Sequence, residues 1–145
     1  MSIKSIILKK GWAGKTISRP ETATRVNALI RPLIELLHSY NAFVAVSPES
    51  DTSDIQTFMP TLRADIGKLA ETVHSCGQTA YSGVVLEQDS FSESSSTLAD
   101  VAGREKEYRE LLSTEGKIEH QMRTRAIIDV VAANSEARYQ IINGR

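Results

Sequence analysis

The sequence predicts an all-α fold, an up-down bundle of three to four helices, and three observations carry that expectation. Apolar residues recur at intervals of three and four over two long segments. Helix start and stop signals bracket both segments. Aromatic residues make up only 6% of the 145-residue chain, which suits a core of Leu, Ile, Val and Ala better than a sandwich of strands.

The first helix is expected over residues 20–46. Ser18-x-x-Glu21 has the form of a capping box, and Pro20 falls in the first turn, where its missing N–H costs little. Val26, Leu29, Ile30, Leu33, Leu37, Tyr40 and Val44 then form one narrow apolar stripe. Pro32 is expected to kink or split this helix. Ser47-Pro48 should end it, because the residue before a proline disfavours helical geometry.

A second helix is expected over residues 53–76. Ser53-x-x-Gln56 is its start signal, with Pro60 as the alternative beginning. Ile55, Met59, Leu62, Ile66, Leu69, Val73 and Cys76 alternate steps of four and three without a miss, the strongest periodicity in the chain. Gly77 is placed to act as the C′ residue.

Residues 87–97 are serine-rich and read as a loop. Residues 98–142 are strongly helix-forming and read either as one long C-terminal helix or as a pair divided at Gly116. Val101, Tyr108, Leu112, Met122, Ala126, Val130, Ala133 and Ala137 can be threaded on one face, with Glu115 and Glu119 making its middle polar. Residues 1–19 form a basic N-terminal arm, and the whole of 1–145 is expected to be a single helical domain.

Charge is partitioned along the chain. The arm carries Lys4, Lys9, Lys10, Lys15 and Arg19 without an acid, whereas acids far outnumber Arg63 and Lys68 between residues 48 and 100. Lys9, Lys10, Lys15 and Arg19, with Trp12 as an anchor, are the candidate interaction residues of the arm. No apolar run approaches the roughly 20 residues of a membrane span. Ile6-Ile7-Leu8 is too short for the core of a signal peptide. A single cysteine, Cys76, forms no disulfide within the chain, so a cytoplasmic location is expected.

Two Glu-x-x-His motifs, Glu35–His38 and Glu71–His74, stand on successive helices. Carboxylate-bridged iron or manganese bundles of the ferritin-like kind use this spacing on two helices with a further Glu on each of the others. Glu115 and Glu119 would complete the set. Helical geometry argues against convergence. Glu35 and His38 fall at roughly 180° and 120° from the apolar stripe of their helix, and Glu71 and His74 at roughly 160° and 100°. The segments around the two motifs also align at an offset of 36 residues through Leu-x-Glu-x-x-His-Ser, a weak internal repeat.

Other patterns carry less. Gly11-Trp-Ala-Gly14-Lys15-Thr16 lacks the first glycine of a phosphate-binding loop, since Lys9 stands there, and Pro20 interrupts the helix that should follow. Arg31 and His38 have an Arg-x₆-His spacing found in some helical ribonucleases, one that arises readily by chance. His120, with Glu119 beside it, could join Glu115 as a ligand cluster, but the more common outcome of such a grouping is an exposed polar patch. No Ser/His/Asp arrangement and no Cys/His zinc spacing is present.

The functional expectation is therefore a non-enzymatic helical bundle acting in self-assembly or protein–protein interaction, with itself or another protein as partner. The first alternative is a ferritin-like metal-binding bundle using Glu35, His38, Glu71, His74, Glu115 and Glu119. The second is nucleic-acid contact through the arm, which would weaken steeply with salt.

Overall fold

A computed structural model describes residues 16–82 and 97–144. They form four helices: α1 (Arg19–Val46), α2 (Ser53–Ser75), α3 (Leu98–Glu115) and α4 (Met122–Asn143), with a short 3₁₀ turn at Glu49–Asp51 between the first two. The basic arm up to Lys15 and most of the serine-rich segment lie outside the described residues.

Local signals set the helix ends. The Ser18 hydroxyl accepts from the Glu21 amide at 3.3 Å, capping α1. Thr97 caps α3 in the same way by accepting from Asp100. α2 begins at Ser53, as the sequence suggests, but with a different cap. Thr52 is the cap residue, Ser53 is already helical, and Gln56 reaches back to donate to the Thr52 hydroxyl. The end of α2 is a Schellman motif: Gly77 adopts φ +80°, its amide donates to His74, and the Gln78 amide donates to Val73.

Neither internal proline breaks its helix. α1 runs through Pro32, and α2 starts seven residues before Pro60 and continues past it. The carbonyls that lose a partner belong to Ala28 and Gln56, and both residues are exposed. Water can take the released lone pairs, so the cost of each proline is tempered.

The helices pack as a square. α1 contacts α2 and α3, and α4 contacts α2 and α3. Every one of these contacts is antiparallel. Arg19 at the start of α1 reaches Ser75 at the end of α2. Arg25 and Tyr40 of α1 meet Glu115 and Glu105 of α3, in reversed order. Asp65 of α2 meets Arg138 late in α4. It follows that α2 and α3 point the same way.

The core is built from Val26, Leu29, Leu33, Ile55, Leu62, Leu69, Val101, Leu112, Ile128 and Val131, all at most 2% exposed. Tyr40 and Phe58 meet edge to face, with ring centres 5.1 Å apart.

The inward face of α4 departs from the sequence reading. Thr124, Ile128, Val131, Ser135, Arg138 and Ile142 point into the bundle. Met122, Ala126, Val130, Ala133 and Ala137, threaded onto the core stripe from sequence, are exposed. The reason is physical: half of the true inward positions are polar, so apolarity alone marks the wrong side of this helix. α3 repeats the pattern, with Glu105 and Glu115 at core positions between Val101, Tyr108 and Leu112. Cys76, at the end of the α2 stripe, is half-buried against the core.

Candidate functional site

The steps of four and three that organise each helix bring five polar residues to the middle of the bundle. Asp65 of α2, Glu105 of α3, and Ser135 and Arg138 of α4 are all at most 1% exposed, as is Tyr40 of α1. The Arg138 guanidinium donates from Nε to Glu105 Oε1 at 2.7 Å, and its Nη1 lies 3.5 Å from Asp65 Oδ2. Tyr40 donates to Glu105 Oε1 at 2.7 Å and Ser135 to Glu105 Oε2 at 2.8 Å. Asn134 donates to Asp65 Oδ1 at 2.9 Å. Tyr108 donates to the Leu29 carbonyl at 3.0 Å. All four helices thus contribute to one closed network, in which each charged group is paired and hydrogen-bonded as burial demands.

Electrostatics follow from the enclosure. Burial, and then the Glu105 carboxylate, push the Tyr40 phenol far above its ordinary range, and burial does the same to Tyr108. Burial opposes the Arg138 charge, but Glu105, Tyr40 and Asp65 together outweigh it, so the guanidinium holds its proton more firmly than usual. Burial raises the pKa of Asp65, against the opposing pull of its bonds to Asn134 and Arg138.

The sign of the Asp65 effect gives a testable pH dependence. An acid whose pKa rises on folding adds stability below its unfolded value of about 3.9, and that contribution is lost as pH rises through the folded value. Asp65→Asn removes this titration. The stability of the variant relative to wild type should therefore increase as pH rises from about 4 and then level off. Urea midpoints across that range are the measurement, and a difference that falls with pH would contradict the assignment.

A second polar cluster closes the end of the bundle where α3 turns into α4. His120 Nε2 lies 2.7 Å from Glu115 Oε1, and Arg25 Nη1 lies 3.5 Å from Glu115 Oε2. The exposed patch expected here from sequence is instead buried: His120 is 1% exposed, with its Nδ1 lacking a partner among the described residues, because Glu115 and Arg25 complete a cluster under the α3–α4 link. The Ile17 amide donates to the Glu119 carbonyl at 2.9 Å, and Arg125 donates to the Ile118 carbonyl at 3.1 Å. These bonds tie the start of the described chain to the α3–α4 link.

The candidate residues from sequence are dispersed. Glu35 accepts from Arg31 at 3.0 Å on the flank of α1, and His38 is exposed one turn on. Glu71 and His74 are exposed on α2. Glu115 is buried with His120, and Glu119 pairs with Arg125 at 3.6 Å. Among the described residues no three of His, Cys, Asp and Glu converge as a metal site would require. Arg19 donates to the Ser75 carbonyl. Lys9, Lys10, Trp12 and Lys15 lie outside the described residues.

Sequence reasoning passed over Asp65, Glu105 and Arg138. A signal existed: Leu62–Asp65–Leu69, Val101–Glu105–Tyr108 and Val131–Arg138–Ile142 all keep the core spacing. A charged residue at such a position implies a buried partner.

The last feature is the outer face of α4. Met122, Val130 and Ile141 are 66%, 43% and 39% exposed. They share that side with Ala126, Ala133 and Ala137, which are also exposed. Among the described helices none is long and apolar enough to cross a membrane. Compared with known proteins, the chain matches no family model, no curated protein and no solved structure.

Proposed function

We propose that this chain is a non-enzymatic helical bundle that self-associates, and that the outer face of α4 is the surface through which two copies meet. One observation carries the reading: the apolar residues of that face are ordered so that they complement their own reverse. Met122, Ala126 and Val130 make one row at steps of four, and Ala133, Ala137 and Ile141 make a second. Laid antiparallel on a second copy, Met122 meets Ile141, Ala126 meets Ala137, and Val130 meets Ala133. The polar residues flanking the face, Arg123 and Gln140, fall opposite one another in the same register.

Such a surface suits a two-fold contact, in which one patch serves both partners. Rows at steps of four favour crossing near −50°, and the alanines at the centre permit close approach of the two backbones. The polar residues of α4 at core positions, Ser135 and Arg138, are taken up by the central network, and no helix among the described residues packs on this outer apolar face.

Analytical ultracentrifugation at micromolar concentration tests the proposal. A dimer is expected, and Ala133→Arg at the centre of the face should weaken it by at least about tenfold, or 1.4 kcal/mol. Circular dichroism checks that the variant remains folded. A wild-type chain that stays monomeric at about 100 µM, where a contact worth more than about 5.5 kcal/mol would show, refutes self-association.

A further inference from the structure

We infer that a cavity between the ends of α1, α2 and α4 binds a phosphate-class anion, either inorganic phosphate or the phosphate end of a small phosphomonoester. The cavity measures about 260 Å³ and is lined by Arg19, Lys68, Arg123, Thr124 and Glu71, among others. It is a little smaller than the roughly 300–1,000 Å³ of sites that hold drug-sized ligands, so a small occupant is expected. Three cations face one carboxylate across it. Arg19 is held over the space by its bond to the Ser75 carbonyl. Neither Lys68 nor Arg123 forms a salt bridge among the described residues.

The backbone adds to the positive field. The cavity opens onto the first turn of α4, where Gln121 is the cap residue and supplies no side-chain bond to the amides. The first turn contains no acidic residue. Free first-turn N–H groups and the helix dipole both favour an anion at such a position. Thr124 lines the same space and is 6% exposed. A threonine hydroxyl in this position is a donor that a phosphate oxygen can accept from. Arginine, lysine, amide and hydroxyl donors together make the set that phosphate oxygens accept from. The nearby Glu71 carboxylate can accept from a hydroxyl of the ester, which gives a phosphomonoester a contact that free phosphate lacks.

The test is a titration of the full-length ¹⁵N-labelled chain with inorganic phosphate, and in a second arm with glycerol 1-phosphate, at constant ionic strength in chloride. Saturable shifts centred on the Arg123 and Thr124 amides are expected, with a Kd below about 1 mM, equivalent to 4.1 kcal/mol. Lys68→Ala with Arg123→Ala should weaken binding by at least about tenfold. Arg63→Ala, an exposed cation elsewhere on α2, should leave it unchanged. Thermal melts in phosphate-free buffer confirm that each variant is folded. Tighter binding of glycerol 1-phosphate assigns the site to a monoester, and equal or tighter binding of inorganic phosphate assigns it to the free anion. Shifts that do not saturate by about 10 mM, or that Arg63→Ala reduces as much as the double variant does, overturn the inference.

Discussion

Arg138→Met is expected to destabilise the protein by about 3–5 kcal/mol, the range seen when one partner of a buried ion pair is removed. Methionine fills much of the same volume, so the loss is not chiefly one of packing. It arises because Glu105, fully buried, is left without its cationic partner and with only Tyr40 and Ser135 as donors among the described residues. Asp65 loses its only cationic neighbour in the network as well. Chemical denaturation read at several wavelengths measures the cost. A double-mutant cycle identifies its origin: Glu105→Leu should cost less in the Arg138→Met background than in wild type, because the stranded charge is then gone. Strict additivity of the two changes would show that Arg138 and Glu105 do not act as a pair.

Leu62→Ala should have the next largest effect, about 2–5 kcal/mol. Leu62 is fully buried on α2, one turn from Phe58 on one side and from the network residue Asp65 on the other. The truncated side chain leaves a cavity that helices fixed by buried polar bonds on either side cannot easily close. The urea midpoint should fall while the slope of the transition stays constant. Val46→Ala is the comparison. Val46 is 53% exposed, and its truncation should change stability by less than about 0.5 kcal/mol. Similar losses at both positions would mean that the core is not where the structure places it.

The legibility of this protein in its sequence varies with the chemistry of each helix. α1 and α2 declare themselves because their inward positions are almost all apolar, so the 3.6-residue period stands clear in Val26–Tyr40 and Ile55–Val73. Their ends were equally readable, since Ser18 and Gly77 act through local bonds that need no tertiary partner. The prolines misled in one respect. Their effect depends on whether the freed carbonyl faces water, and that is a property of the assembled bundle.

α3 and α4 obscure themselves for the opposite reason. Glu105, Glu115, Ser135 and Arg138 occupy core positions, and each is tolerable there only because a residue on another helix completes its bonds. A scan of one segment sees a polar interruption and moves the stripe to the apolar side. On α4 that side is Met122–Ile141, the face the bundle leaves exposed. The same displacement hid the central network, while the Glu-x-x-His motifs drew attention through a spacing that the fold does not bring together.

Arg138 has a further consequence, for assembly of the chain during folding. The guanidinium belongs to the last helix, whereas both carboxylates it meets lie on helices made earlier. Until α4 docks, Asp65 and Glu105 lack that counter-charge, and a bundle of the first three helices alone would leave both carboxylates unpaired. Completion of the hydrophobic core is thereby coupled to arrival of the C-terminal segment, and a chain truncated before Arg138 should populate no stable three-helix form.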